Sequence, residues 1–210
     1  MPQSPKFRRR KDARPAEILD AALDVFAEKG FAGARLDEIA RRAGVSKGAL
    51  YLYYATKEDL FAAVIHQAIG VDLDHFRSAA SGVRPFRALV STFLELMVAR
   101  ADAGRIPPIV RMVIAESRTF PAPARQWHDR VVSPMLDFLA GAIAEAQVRG
   151  EVRPGDPRLF AYELIGPFVI GIVWNETFAP VGAAPVDLAA LRTQHLRTLV
   201  EGMIVPEAPR

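Results

Sequence analysis

The chain has 210 residues; half are hydrophobic and none is cysteine, which allows a substantial core but no disulfide framework and no thiolate site. Its net charge of +3 lies within residues 1–60, which hold 12 Lys and Arg against 9 Asp and Glu, whereas residues 61–210 hold 15 of each. This placement predicts an anionic partner for the N-terminal part of the chain.

The most apolar window, residues 159–174, contains Glu163 and Pro167. It is shorter than the roughly 20 residues that span a bilayer, so we expect a buried helix and no membrane partner. The basic N-terminus has no apolar run behind it, which argues against a secretory signal and favours a cytoplasmic protein.

Residues 1–13 contain two prolines and a dense basic cluster but no hydrophobic periodicity, so we expect a disordered arm. One interpretation is a flexible extension in which Arg8, Arg9 and Arg10 neutralise phosphates or lie in a minor groove of DNA. The other is a tail that only improves solubility. The motif that follows favours the first.

A first helix is predicted over residues 15–29. Ile18, Ala22 and Phe26 belong to its apolar stripe, and Gly30 provides its end.

A helix-turn-helix is predicted directly after it. A short helix over residues 36–42 precedes Gly44, which supplies the positive φ of a tight turn, and Ser46 caps a second helix over 47–54. Two helices joined by a short turn with glycine are typical of proteins whose second helix enters the major groove of DNA.

This part of the chain resembles the TetR/AcrR family of bacterial transcriptional regulators. The matching residues are Ile18, Leu19, Ala21, Ala22, Phe26, Gly30, Ile39, Ala40, Ala43, Gly44, Val45, Ser46, Lys47, Gly48, Leu50, Tyr51, Tyr53, Tyr54, Lys57, Glu58 and Leu60. The resemblance implies an all-helical C-terminal domain and release from DNA under the control of a ligand.

The predicted DNA contacts lie on the outer face of the motif, because the spacing of four residues turns Leu50 and Tyr54 inward. They are Arg35, Lys47, Gly48, Ala49, Tyr51, Tyr53 and Lys57. The tyrosines and lysines are suited to phosphate and sugar, and the small residues allow close approach to base edges. Arg35 or Lys47 is the candidate reader of guanine.

Everything after residue 56 is predicted to be helical. Thr56 and Asp59 resemble a capping box for a helix that begins at Lys57 and extends toward Ala80. Further helices are predicted over residues 85–103, 107–119, 123–149, 156–178 and 186–204. Pro134 and Pro167 fall inside two of them and are expected to kink or break them.

The predicted architecture is therefore all-α: a disordered basic arm (1–13), a three-helix DNA-binding domain (14–60) and a larger ligand-binding and dimerisation domain (61–210). A helix-turn-helix of this size needs two copies for affinity, so we expect a homodimer on a double-stranded, palindromic operator. The candidate interface residues are Ile172, Leu188, Leu191, His195, Leu199 and Met203. The alternative is that these side chains form only an intramolecular core.

A small, apolar effector molecule is expected to bind in the C-terminal domain. Candidate lining residues are Met97, Met112, Glu116, Trp127, Tyr162, Phe168, Trp174 and Asn175. Each is also an ordinary core candidate, and Glu116 has Arg118 nearby as an alternative partner.

The sequence lacks a glycine-rich phosphate loop, a Gly-x-Ser-x-Gly motif and histidines at metal-binding spacing, so we expect no enzyme, metal or cofactor. The favoured function is a repressor. The alternatives are an activator, a DNA-binding module without ligand control, and an enzyme with a DNA-binding head.

Overall fold

The computed structural model describes residues 14–67, 85–104 and 106–205. Within these ranges the chain forms ten α-helices and no named strand, which confirms the all-α prediction. The helices are α1 (Arg14–Gly33), α2 (Leu36–Arg42), α3 (Lys47–Tyr53), α4 (Lys57–Ile65), α5 (Phe86–Asp102), α6 (Ile106–Glu116), α7 (Pro121–Trp127), α8 (Ser133–Val148), α9 (Pro157–Thr177) and α10 (Leu188–Gly202).

Helices α1 to α4 pack around an aromatic centre. The ring centroids of Phe26, Phe31 and Phe61 lie 5.3 to 5.8 Å apart, and all three side chains are buried. Such ring pairs add to the stabilisation from burial alone. The sequence prediction placed a domain boundary at residue 60, but α4 crosses it and buries Phe61, Val64 and Ile65 in this N-terminal core.

A second core lies among α5, α8, α9 and α10, with Phe86, Leu94, Leu139, Leu164 and Phe168 buried at its centre. The middle helices α6 and α7 connect the two cores. Their side chains Ile109, Met112 and Val113, with Val131 beyond α7, pack against the N-terminal cluster.

The single helix predicted over 123–149 is divided. A π-helical segment, His128–Val132, separates α7 from α8 and lies directly before Pro134. The proline ring clashes with the carbonyl of an ordinary preceding turn, and the wider π turn gives it room. Pro167, in contrast, lies inside α9, which continues through it. The predicted helix from Lys57 toward Ala80 is described only to residue 67.

Two stretches, residues 121–148 and 157–181, are long and apolar enough to cross a membrane by length and composition alone. In the fold, each supplies part of the second core: Leu139 and Ile143 on α8, and Leu164 and Phe168 on α9. Core helices of ordinary proteins have the same composition, so these features do not point to a membrane.

Candidate nucleic-acid interface and ligand cavity

Helix α3 is fixed on the N-terminal domain by its turn and its cap. Gly44 has the left-handed φ of 65° that the turn requires, and Val45 donates its amide to the Ala40 carbonyl at 3.0 Å. The Ser46 hydroxyl accepts from the Ala49 amide at 3.1 Å, as the sequence predicted. Leu50 is fully buried, so one face of α3 points inward and the other is left for a partner.

The outward face of α3 combines aromatic and apolar groups. Tyr51 and Tyr53 are each 44% exposed, and Leu52 is 87% exposed. A Cβ added at Gly48 would meet no atom within 4 Å, so a partner can approach the backbone there. Leu52 was not among the predicted contacts; its spacing of four residues from Gly48 was the pattern that could have indicated it.

Lys47 lies at the N-terminal end of this face. Its Nζ is 2.8 Å from Asp37 Oδ1 and 6.0 Å from the centroid of the Tyr51 ring. The hydrogen bond to Asp37 raises the pKa of Lys47, which keeps the ammonium charged. Because both partners are exposed, this ion pair is weak and Lys47 can exchange its carboxylate for a phosphate.

Ion pairs join α2 to the C-terminal half of α1. Arg42 donates to both oxygens of Glu28, at 2.7 and 2.6 Å, and to Glu38 at 2.9 Å; Lys29 reaches Glu38 at 2.6 Å. The hydrogen bond from Arg42 lowers the pKa of Glu28, and those from Lys29 and Arg42 lower the pKa of Glu38. This network holds the first helix of the motif against α1.

Arg35 and Lys57 differ in what they can offer to DNA. Arg35 is exposed just before α2, where it makes no side-chain cap. The Lys57 ammonium donates to the carbonyls of Phe31 at 2.6 Å and Ala34 at 3.2 Å, with a longer contact to Ala32. The side chain of Lys57 is therefore engaged in the fold, and a phosphate contact by this residue stays a prediction. The predicted arm, with Arg8, Arg9 and Arg10, lies outside the described residues.

The C-terminal domain contains an apolar cavity of about 570 Å³. It is lined by Phe93, Leu96, Met97, Arg100, Ala101, Ile106, Val110, Val113, Ile114, Trp127, Val131, Val132, Met135, Tyr162, Ile165, Gly166, Val169, Ile170 and Ile172. This size is within the roughly 300–1,000 Å³ of typical small-molecule sites. Three predicted residues, Met97, Trp127 and Tyr162, are in the wall. Arg100 was missed because a lysine or arginine in a helical pattern usually indicates a solvated face.

The other predicted lining residues lie elsewhere, because each is engaged by its own surroundings. Met112 and Phe168 are buried in the two cores. Trp174 donates Nε1 to the Ala184 carbonyl at 2.9 Å. The Asn175 amide exchanges two hydrogen bonds with the backbone of Val186, at 2.9 and 2.7 Å.

Glu116 is likewise absent from the cavity wall. Its carboxylate accepts hydrogen bonds from the amides of Phe31 at 3.1 Å and Ala32 at 2.8 Å, and not from Arg118. This corrects its prediction as a ligand contact and makes it a link between α6 and α1.

The predicted dimer residues face the interior of their own subunit. Ile172, Leu188, Leu199 and Met203 are at least 91% buried in the second core, and Leu191 packs against it. His195 lies 3.1 Å from the Leu164 carbonyl and contacts the Phe168 ring edge-on. These contacts match the intramolecular alternative, since helices α9 and α10 need the same apolar residues to pack on each other.

A different apolar surface on α9 is exposed. It comprises Leu159 (61% exposed), Ile170 (67%) and Trp174 (38%) on α9 and Phe178 (46%) directly after it, and we call it the α9 face. Exposed apolar patches of this kind mark interaction sites in many proteins. In the described part of the chain, no group of three or more His, Asp or Glu side chains is arranged to hold a metal ion.

Comparisons with known proteins agree with this architecture. Residues 18–64 match the family described as "Bacterial regulatory proteins, tetR family", and residues 84–190 match "AefR-like transcriptional repressor, C-terminal domain". The chain is 26% identical to the "Fatty acid metabolism regulator protein" of Bacillus subtilis (strain 168) over 202 residues, which cover 92% of this chain and 98% of that protein.

It is also 26% identical to the "HTH-type transcriptional regulator UidR" of Escherichia coli (strain K12), over 92% of this chain and 95% of that protein. The fold resembles that of a transcriptional regulator FadR from Bacillus subtilis in complex with stearoyl-CoA, with a TM-score of 0.72 and 23% identity over 89% of this chain and 98% of that one. Since the AefR-like match alone covers half of the chain, the protein belongs to the TetR family of bacterial transcriptional regulators.

Proposed function

We propose that this regulator is a dimeric repressor that binds a palindromic operator through α3 and leaves it when an amphipathic ligand enters the apolar cavity. The observation that carries the proposal is the pairing of an exposed aromatic and basic face on α3 with a cavity of about 570 Å³ in the other domain. Because transcriptional regulators of this family act on DNA, we propose that the protein works in the bacterial cytoplasm, at the nucleoid when it is bound to its operator.

On DNA, α3 enters a major groove, and Tyr51, Tyr53 and Lys47 contact the backbone at its edges. Arg35, exposed before α2, supplies either a phosphate contact or a guanine contact. The arm of residues 1–13 adds phosphate neutralisation through Arg8, Arg9 and Arg10. Two copies on one operator would bind half-sites about one DNA turn, or roughly 34 Å, apart.

Selection from a randomised DNA pool, followed by footprinting, identifies the operator. Tyr51→Ala is then expected to abolish specific binding without unfolding the protein, because this half-exposed ring does not belong to the core. Val148→Ala is the control, since Val148 is also exposed but lies on α8, outside both the cavity wall and the α9 face. If Tyr51→Ala still bound the operator specifically, α3 would not be the helix that contacts DNA.

The α9 face is the proposed dimer surface. It leaves four large apolar side chains in water, and a second copy packed on the same face would cover them by a twofold operation. Pairing through α9 also brings the partner next to the cavity, because Ile170 belongs to both the α9 face and the cavity wall.

The cavity indicates a ligand with a long apolar body and an anionic group. Among the described residues that line it, Arg100 is the one charged side chain and Tyr162 the one hydroxyl. An acidic head at Arg100 and an apolar chain along α6 and α9 would match these groups. A relative is named for fatty acid metabolism and a fold neighbour holds stearoyl-CoA, which supports a fatty acyl compound as the first candidate.

Thermal unfolding with oleic acid, methyl oleate and stearoyl-CoA tests this ligand. At 100 times its Kd, a ligand stabilises the native state by about 2.7 kcal/mol. For a chain of this length, about 2–4 °C per kcal/mol gives a rise in Tm of roughly 5–11 °C. The acid is expected to raise the Tm more than the neutral ester and to release the operator. Equal Tm shifts for the acid and the ester would show that Arg100 does not bind the acidic head of the ligand.

Two other functions have distinct outcomes in the same assays. A DNA-binding module without ligand control would show operator binding that no compound releases. An enzyme with a DNA-binding head would convert a bound compound, which mass spectrometry of the incubated ligand detects. Transcription assays with the operator in front of a reporter separate a repressor from an activator.

A further inference from the structure

The turn at residues 30–34 is where the DNA-binding domain meets α6. Gly30 interrupts α1 with φ 71° and ψ 176°, a conformation that essentially only glycine adopts. A Cβ at this position would lie 2.0 Å from Oε1 of Glu116. The carboxylate of Glu116 therefore occupies the space that a side chain at residue 30 would need.

Glu116 is the last residue of α6, and its two oxygens accept from the Phe31 and Ala32 amides at 3.1 and 2.8 Å. These are the first amides of the helical turn that follows the break at Gly30. Amides at a helix start lack partners within the helix and favour a negative charge. Glu116 thus caps a helical turn of the DNA-binding domain from the ligand-binding domain.

Arg111, also on α6, binds the other side of the same break. Its Nη2 donates to the Ala27 carbonyl at 3.2 Å, and its Nε lies 3.7 Å from Glu176 on α9. In an uninterrupted helix the Phe31 amide would donate to the Ala27 carbonyl. Here the Phe31 amide binds Glu116, and the Ala27 carbonyl binds Arg111. The negative charge therefore lies at the start of the helical turn after the break, and the positive charge lies at the end of the helix before it, which are the favourable positions in the helix dipole.

The turn is also held from within the DNA-binding domain. Lys57, the first residue of α4, donates to the Phe31 and Ala34 carbonyls and lies 4.5 Å from the centroid of the Phe31 ring. The same short turn is therefore bonded to α6 and to α4, the helix that directly follows α3, the proposed recognition helix.

We propose that Arg111 and Glu116 form a polar clamp that sets the angle of the DNA-binding domain on the ligand-binding domain, and that both are positioning residues for operator binding. Both clamp residues lie on α6, the helix that also lines the cavity with Ile106, Val110, Val113 and Ile114. A shift of α6 displaces both ends of the break at once, because two charged side chains five residues apart hold them. Only the effect on operator affinity rests on the proposed function.

Distances between two spin labels test the clamp without DNA, ligand or knowledge of the oligomeric state. The chain has no cysteine, so Leu52→Cys on α3 and Val148→Cys on α8, which are 87% and 90% exposed, label the two domains specifically. Labelled protein is diluted with an excess of unlabelled protein, so that pulsed EPR reports distances within one subunit. The parent is expected to give one narrow distance distribution.

Glu116→Ala and Arg111→Met are each expected to broaden and shift this distribution. Glu116→Gln, which has nearly the same shape, is expected to fall between, because its amide keeps one acceptor but turns a donor toward a backbone N–H. Glu145→Ala is the matched control, since that side chain is 79% exposed and its ion pair with Arg149 spans 4.0 Å.

A side chain that only stabilised the fold would lower the Tm of the variant and leave the distances unchanged. An unchanged distribution in Glu116→Ala, or in Glu116→Gln where the alanine variant does not fold, overturns the proposal. Operator affinity of the clamp variants is expected to fall about tenfold, within the roughly 5- to 150-fold range of coupled sites. If the parent binds no operator, the proposed function fails while the distance result still decides the clamp.

Discussion

Replacing Ser46 by alanine removes the cap of α3, the proposed recognition helix. In the structure the Ser46 hydroxyl accepts from the Ala49 amide at 3.1 Å, and α3 has only seven residues, Lys47–Tyr53. Isolated helices below about 12–15 residues are marginal in water, so α3 depends on its cap and on the burial of Leu50. Loss of a serine cap costs about 1 kcal/mol, and for this chain length we expect a Tm lower by about 2–4 °C.

Ser46→Asp distinguishes the effect of the cap on stability from the effect of this position on DNA binding. Aspartate caps a helix as well as serine and favours its N-terminus electrostatically, so the Tm of this variant is expected to match the parent. Its negative charge lies at the end of α3 that carries Lys47, where the proposal places phosphate. Operator binding should therefore fall further in Ser46→Asp than in Ser46→Ala, and the difference should shrink at high salt.

Thermal unfolding by circular dichroism and operator binding by fluorescence anisotropy at two salt concentrations measure both quantities. Equal Tm values for Ser46→Ala and the parent would show that the hydroxyl does not stabilise α3. Parent-like operator binding by Ser46→Asp would show that this end of α3 faces away from DNA.

Three further outcomes are expected. Ile170→Glu should convert a dimer to a monomer in sedimentation, whereas Val148→Glu, at an exposed side chain on α8, should not; a dimer in both variants would show that the α9 face is not the dimer surface. Arg42→Met should lower the Tm at pH 7 but lose its effect as the pH falls below about 4.5, because the lowered pKa values of Glu28 and Glu38 give stability that protonation removes; a pH-independent penalty contradicts this. Deleting residues 1–11 should weaken DNA binding at every sequence and reduce the salt slope by roughly 0.9 per lost phosphate contact; an unchanged slope excludes the arm.

The DNA-binding domain was predictable because its signals are local. Gly44 meets a positive φ, Ser46 caps α3, and Thr56 with Asp59 forms the expected capping box. Each of these features depends on residues within three or four positions of one another, which a sequence shows directly.

The C-terminal side chains were predictable only as a helical core, because partners distant in sequence decide their roles. Asn175 binds the Val186 backbone and Glu116 binds amides 84 and 85 residues earlier, so neither reaches the cavity. Leu188 and Leu199 have the spacing of an interface seam, yet the same spacing serves packing inside one subunit. Apolar periodicity gives the face of a helix that is buried but not the element that buries it.

Gly166 allows ligand binding to be separated from DNA binding, because it lies in α9 and in the cavity wall. A Cβ there would meet no atom within 4 Å outside its chain neighbours and its own helix backbone, so a larger side chain begins in open space.

Gly166→Leu is expected to change the Tm of the free protein little, because the gain of about 1 kcal/mol from replacing a helical glycine is opposed by the clash of the new Cβ with the Pro167 ring that follows it. The added side chain would occupy cavity volume, so the Tm rise with oleic acid should be lost while operator binding and dimerisation persist. Gly141→Leu on α8 is the matched control, because a Cβ at Gly141 also meets no atom within 4 Å but that residue is outside the cavity wall. It should gain about 1 kcal/mol, or roughly 2–4 °C in Tm, and keep the full response to the ligand. A normal response in Gly166→Leu would place the ligand outside the cavity, and the coupling between α6 and the operator would then need another origin.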